Sequence, residues 1–488
     1  MELELKLALP LQDAHLLHRQ LARCALIGRR QPQRQQLHNT YYDTPEHALK
    51  DRAVALRVRQ IGDASQPHWV QTLKVGAAAD SAFSRRGEWE QAIASEALSS
   101  AMLEQTPWSE LDADGTLYAA LEPVFSTDFE RLSWIVKLAD SSVEVALDRG
   151  QVHMDGHSTP LCELEIELLE GSPEALFDIA AQIGRHISLL PLHMSKAERA
   201  YRLAAGTLDA PLRARPPALS KDMQLGAVAQ AVLRESFLQF TANLVTFRSS
   251  DAPEVLHQAR VGWRRFKSAL QLFKQGSDTD GMPSTASLKP LLAGMTAMRD
   301  LDVAATEVLP AHGAAYQADD AQRIAQWHQL ETALDHARQE QRAGLRLTLA
   351  EPSVGQTLLE ITCWLETGQI ALHHGQEGKR QDRRWLCERV EHLVELVRDI
   401  PASSKDPLEQ HRLRIVSKRL RYCVESLRPL LPRKRSQRWL DMAMQAQTQI
   451  GMERDRLQAI AIARQLQAPD AVVQFLRGAA FAALSAWH

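Results

Sequence analysis

The hydropathy of this chain changes period once, near residue 220, and no single kind of secondary structure satisfies both halves. Up to about residue 200, apolar and polar residues alternate in short runs bounded by turn signals: "ALRVRQI", "HWVQTLKV", "RGEWEQAI", "RLSWIVKL", "SVEVALD" and "CELEIELLEG". Successive strand side chains point to opposite faces, so period-two runs of this length predict strands. With the opening "MELELKLALP" and a stretch around "QLHNTYYDT" they number about eight. Helical patterns interrupt them near Gln12–Cys24 and Pro173–His186, the second opened by Ser172-Pro173. Beyond about Lys221 strand patterns nearly vanish. Leu225, Val228, Val232, Phe237, Phe240, Leu244 and Phe247 recur at helical intervals, and similar patterns continue to the C-terminus. Between the halves, "GTLDAPLRARPPALS" carries Pro211, Pro216 and Pro217 with little periodicity and reads as a linker. The expected class is α+β: antiparallel strands with flanking helices over 1–204, a linker over 205–220, and an all-α domain over 221–488.

Composition excludes more than it assigns. A length of 488 residues implies two or three domains, and a net charge of -3 gives no general argument for nucleic-acid binding. No apolar run approaches a membrane span, and no basic-then-apolar leader precedes the first strand. The five cysteines are scattered without metal-ligand spacing, as expected of reduced thiols in a cytoplasm. His373-His374 reads as a loop feature. The helical half repeats: "HQARVGWRRFKSAL" starts at His257 and "HRLRIVSKRLRYCV" at His411, an offset of 411 − 257 = 154. Arg299-Asp300 returns as Arg454-Asp455 at 454 − 299 = 155, so a duplicated unit is expected.

Sorting the strands by parity gathers charge on one face of each. The set is Glu2, Glu4 and Lys6; Arg57 and Arg59; Thr72 and Lys74; Arg86, Glu88 and Glu90; Arg131 and Lys137; Glu144 and Asp148; Glu163, Glu165 and Glu167. The opposite faces are largely apolar, as at Leu3, Leu5 and Leu7. For one strand a solvated face is the ordinary reading. Across eight strands, such faces usually mix Ser, Thr, Asn, Gln and Lys, whereas these positions favour Arg and Glu. Eight strands also suffice to close a barrel with interior room. A charged interior requires pairing, water or an ionic ligand. Carboxylates without soft ligands suit hard cations such as Mg²⁺ or Mn²⁺, and arginines and lysines suit phosphate oxygens. Together they point to a metal–polyphosphate substrate and to phosphoanhydride hydrolysis.

"ELELK", followed in order by "YYDTP", "ALRVR", "TLK", "ELEIEL" and "SKAERAY", resembles the CYTH, or triphosphate tunnel metalloenzyme, superfamily over residues 1–204. The resemblance implies an eight-stranded tunnel that binds triphosphate with one or two divalent metals. It implies metal ligation by Glu2, Glu4 and an acid of "ELEIEL", Glu163 or Glu165, with parity leaving Glu167 open. It implies phosphate binding by Lys6, Arg57, Arg59, Lys74, Arg86, Arg131 and Lys196, with Lys6, Glu4 and Arg59 nearest the chemistry.

In the helical half, His257, Arg260, Arg264 and Lys267 fall within an arc of roughly 80° on a helix, and His411, Arg414, Lys418 and Arg421 do the same. Arg265 and Arg419 widen each stripe. Solvated faces commonly interleave acids at i+4; these contain none, so an anionic ligand is the better account. No module that reads nucleic-acid sequence is visible. These stretches and the Arg-Asp pairs resemble the CHAD family, α-helical domains with conserved histidines. That implies two pseudo-symmetric helical bundles binding inorganic polyphosphate. CYTH followed by CHAD is the arrangement of bacterial inorganic triphosphatases, and inorganic triphosphate is the expected substrate. The alternatives are a non-catalytic polyphosphate-binding protein, an organic or nucleotide triphosphatase, and a class IV adenylate cyclase.

Overall fold

The structure, a computed structural model, describes residues 2–10, 14–62, 67–76, 81–274, 282–368, 379–401, 404 and 406–485. His373-His374 lies outside these residues. The strands are β1 (Glu2–Ala8), β2 (Gln33–Asp43), β3 (Val54–Ile61), β4 (His68–Val75), β5 (Phe83–Ile93), β6 (Glu122–Leu138), β7 (Ser141–Met154), β8 (His157–Glu170) and a short β9 (Leu190–Pro191). They form one antiparallel sheet in the order β5-β4-β3-β2-β6-β7-β8-β1-β9. β1 also pairs with β5, from Glu2↔Arg86 to Leu5↔Phe83, which closes eight strands into a barrel. β9 continues the same edge of β1 at Leu7↔Pro191 and Ala8↔Leu190.

Alternation sorts the two faces as expected. Outward, Leu5 and Leu7 of β1 pack with Leu164 and Ile166 of β8 under helix α1 (Glu174–Gly184), through its Leu176, Ile179 and Ile183. Inward, the charged residues of β1 meet those of β4 and β8, Glu2 with Lys74 and Lys6 with Glu165. A further helix, α2 (Lys196–Ala204), starts with Ser195 accepting a hydrogen bond from the Glu198 amide, and it carries Lys196 to the barrel mouth.

The second half is helical: α3 (Leu225–Phe247), α4 (Pro253–Phe273), α5 (Lys289–Val303), α6 (Ala321–Leu349), α7 (Pro352–Thr367), α8 (Lys379–Arg398), α9 (Pro407–Leu427), α10 (Arg433–Gln465) and α11 (Asp470–Ser485) are its main elements. The repeat is structural as well as sequential: α4 and α9, which carry the two basic stretches, are each 21 residues long and start 407 − 253 = 154 residues apart.

The proline-rich segment has no helix or strand, yet it is not a free tether. Leu208 and Leu219 pack on the helical core, and Leu212 exchanges two hydrogen bonds with the Asn243 side chain, each 2.9 Å. The halves also share apolar surface directly. Leu190, Leu192 and Met194 belong to the helical core, while Leu359 of α7 belongs to the core outside the barrel. Gly355 permits this contact, because a Cβ there would lie 2.7 Å from the Leu189 amide nitrogen.

Candidate functional site

The barrel encloses a cavity of about 430 Å³ lined almost wholly by charged side chains. Register explains its polarity. Glu4 of β1, Glu167 of β8 and Glu144 of β7 stand in one row, Glu167 being directly opposite both others. Like charges so placed repel. Burial, then Glu2 and Glu88, push the Glu167 carboxyl up to about 8. Glu4, only 3% exposed, is pushed up to about 7 by burial against the pull of Lys6, 3.3 Å away. Glu2, Glu88 and Glu167 bring carboxylate oxygens within 4.8 Å of one another. Lys74 is the cation seated on this group, 2.9 Å from Glu2 and 3.2 Å from Glu88.

A second acid group lies deeper. Asp148, Glu163 and Glu165 also converge within 4.8 Å, but cations already occupy them. Lys196 reaches all three, at 2.8, 2.6 and 2.8 Å. Arg131 clamps Asp148 with two bonds of 2.7 Å and reaches Glu165 at 2.5 Å. Burial opposes ionisation here, but Lys196 and Arg131 outweigh it and hold Glu165 well below the usual carboxylate range.

The four acids expected to share a metal therefore do not form one group. Glu2 joins Glu88 and Glu167, Glu163 and Glu165 join Asp148 under Lys196, and Glu4 stands between them on Lys6. Parity put all of them on one face but could not say which carboxylates a lysine from outside the sheet would neutralise. A hard divalent cation fits the Glu2–Glu88–Glu167 set, an all-oxygen donor group with Lys74 close by and Arg57 3.8 Å from Glu88.

The expected phosphate-binding residues line the same cavity: Lys6, Arg57, Arg59, Lys74, Arg86, Arg131 and Lys196. Arg57 Nη1 donates to the Tyr41 hydroxyl (3.4 Å) and its Nε to Thr72 Oγ1 (3.3 Å). Arg59 Nε donates to Asn39 Oδ1 (2.8 Å), and Asn39 in turn donates to Thr127 Oγ1 (2.9 Å). The buried Nε of Arg86 has no hydrogen-bond partner among the described residues. Lys137 is exposed and does not line the cavity.

In the helical half the two stripes meet. Burial and then Arg264, with Arg299 and Arg454 of both Arg-Asp motifs, lower the Arg260 guanidinium to about 10. Lys418 falls to about 8 through burial, Arg264 and Arg421, against the pull of Asp455. His257 falls to about 4 through burial and Arg299. Arg414 is half-buried, while Lys267 and His411 are exposed. Arg265 does not widen its stripe as expected: it is buried and paired to Glu425 at 2.7 Å. Arg419 likewise senses Cys423 and Arg389 rather than the stripe cations. One residue along a helix is a turn of about 100°, which takes both off the face.

A CYTH domain model matches residues 1–201, and a CHAD domain model matches residues 197–464, more than half of the chain. The chain belongs to the CHAD domain family, with a CYTH domain ahead of it. Over 206 residues it is 32% identical to an inorganic triphosphatase of Haemophilus influenzae, covering 42% of this chain and 55% of that protein. The chain thus spans about half the length of that relative. Among solved structures, the CHAD domain from the plant Ricinus communis is 25% identical, with a TM-score of 0.47 over 56% of this chain and 91% of its own. A Hippeastrum protein described as having a dominant triphosphatase activity is 21% identical, with a TM-score of 0.31 over 42% and 96%. The fold itself rests on the register and helix packing above.

Within the CYTH domain, Tyr41 and Asn39 were missed as site residues, though their shared parity in "QLHNTYYDT" places both inward. Within the CHAD domain, the second Arg-Asp motif has Leu457 where the first has Asp302, two residues after the aspartate of the pair. Asp302 is fully buried and accepts from Arg338 Nε at 3.0 Å, whereas Leu457 is exposed. The two Arg-Asp motifs are therefore held differently.

Proposed function

We propose that the CYTH domain hydrolyses inorganic triphosphate to diphosphate and phosphate with Mg²⁺ or Mn²⁺, and that the CHAD domain binds polyphosphate. The observation that carries the reading is the split of one cavity into an acid row and an arginine–lysine wall. Glu2, Glu88 and Glu167 would hold the cation, with Glu4 beside them. What the cation supplies when bound is neutralisation of phosphate oxygens and acidification of a water. Arg57, Arg59, Lys74 and Arg86 bind phosphate oxygens, and the free Nε of Arg86 is a donor ready for one. Water oxygen bonds to the terminal phosphorus as the bridging P–O bond breaks; Lys6 and Arg59 stabilise the charge on the transferred group. Glu4 is the acid we assign to take the water's proton.

Arg57→Ala and Arg59→Ala should each lower kcat/KM for triphosphate by roughly a hundredfold, the scale for losing one preorganised donor. Initial rates at low substrate test this; normal rates in both variants would mean that the wall does not touch substrate.

For the CHAD domain, burial and then Arg264 lower both Arg260 and Lys418, and the positive charge crowded there is what a polyanion relieves. Arg260→Glu with Arg414→Glu in the full chain should weaken long-chain polyphosphate binding and flatten its salt dependence. Binding should also weaken as pH rises through about 8, where Lys418 loses its charge. Affinity that ignores salt, pH and both substitutions would return the stripes to ordinary solvated faces.

A further inference from the structure

We propose that a second cavity in the CHAD domain, lined by none of Arg260, Arg264, Lys418 or Arg421, binds a multiply phosphorylated organic ligand. It encloses about 1060 Å³, against about 430 Å³ for the tunnel. Four separate stretches of chain converge on it. The segment after the barrel brings Arg215 and Lys221, and the start of α8 brings Arg383 and Arg384. The turn from α9 to α10 brings Arg428 and Arg433, and α4 brings Arg265. Among the described residues Glu425 is the only acid in the lining, against seven cations.

Glu425 is already taken by Arg265 at 2.7 Å, and Arg384 pairs with Glu388 at 2.8 Å outside the lining. For Arg215, Lys221, Arg383, Arg428 and Arg433, no carboxylate lies within ion-pair distance among the described residues. Among the described residues Arg428 donates to neutral Gln437 alone, at 3.2 Å.

A solvated basic surface is the ordinary reading of such a group, and two features count against it. The cations surround a concave space, where low-dielectric walls focus their field instead of dispersing it. The floor is also apolar: Val424, Leu430 and Leu431 line the cavity and are 1%, 8% and 6% exposed, while Arg215, Lys221, Arg384, Arg428 and Arg433 stand exposed around them. An apolar floor under a rim of arginines matches an anion with an apolar body, its phosphates taken bidentately at the rim. Inorganic polyphosphate would use the rim and leave the floor unmatched.

The proposal is independent of the tunnel's activity. Its test is a calorimetric titration of the full-length protein with ATP, and separately with inorganic triphosphate, both in chelator. ATP should bind more tightly than triphosphate at a site that Arg428→Glu with Arg433→Glu weakens by about tenfold or more. Arg428→Lys with Arg433→Lys keeps the charge but not the bidentate fork, so it should weaken binding less than the glutamate pair does, which separates lost charge from lost fold. Arg260→Glu, on the stripe, should leave this site intact. ATP binding unmoved by the glutamate pair, or weakened equally by Arg260→Glu, would overturn the assignment. Triphosphate binding this site as tightly as ATP would overturn the organic ligand.

Discussion

Glu4→Gln should reduce metal-dependent phosphate release by roughly a hundredfold or more while the protein stays folded. The amide keeps the volume of a side chain that is 3% exposed, but removes a charge from the acid row beside the proposed cation. Its stability should not fall. Burial pushes the Glu4 carboxyl up to about 7, so ionisation there costs folding free energy, increasingly as pH rises from the ordinary carboxylate range toward 7. The neutral amide avoids that cost. Thermal unfolding measured beside the rate distinguishes the cases: lost activity with a lower midpoint would be a folding defect, and retained activity would remove Glu4 from the chemistry.

Lys196→Met should have the largest effect on stability, about 3–5 kcal/mol on the barrel, the scale for stripping one partner from a buried ion network. Its ammonium holds Asp148, Glu163 and Glu165 together, and Glu163 is fully buried with a second oxygen that has no hydrogen-bond partner among the described residues. Arg131 still serves Asp148 and Glu165, so the deficit falls chiefly on Glu163. Because protons can replace the missing cation, the gap from the unaltered protein should narrow as pH falls through the carboxylate range. Equal denaturant midpoints at neutral pH would show that the three acids do not depend on Lys196.

The barrel was legible because each strand buries one face against helices and turns the other inward. Alternation of Leu with Glu and Lys in "ELELKL" therefore specified both faces at once. Closure was less visible: it depends on β1 pairing with β5, a contact between segments about eighty residues apart. The membership of the two acid groups was not legible at all. It turns on Lys196, which reaches Glu163 from a helix 33 residues away along the chain. In the helical half, period and repeat located the stripes, but a count of basic residues placed Arg265 on the wrong face. What separates it from Arg264 is Glu425 on another helix, a partner that periodicity cannot supply. The proline-rich segment misled in a similar way, since composition predicts a tether whether or not neighbouring helices cover it.

No helix among the described residues is long and apolar enough to cross a membrane. The central claim is tested with the whole chain. The decisive measurement is phosphate release from inorganic triphosphate, ATP and thiamine triphosphate, each with Mg²⁺, with Mn²⁺ and with chelator. The account predicts rapid release from inorganic triphosphate with either cation, much slower release from the two organic substrates, and none in chelator. Release that persists in chelator, or that favours ATP or thiamine triphosphate, would contradict it.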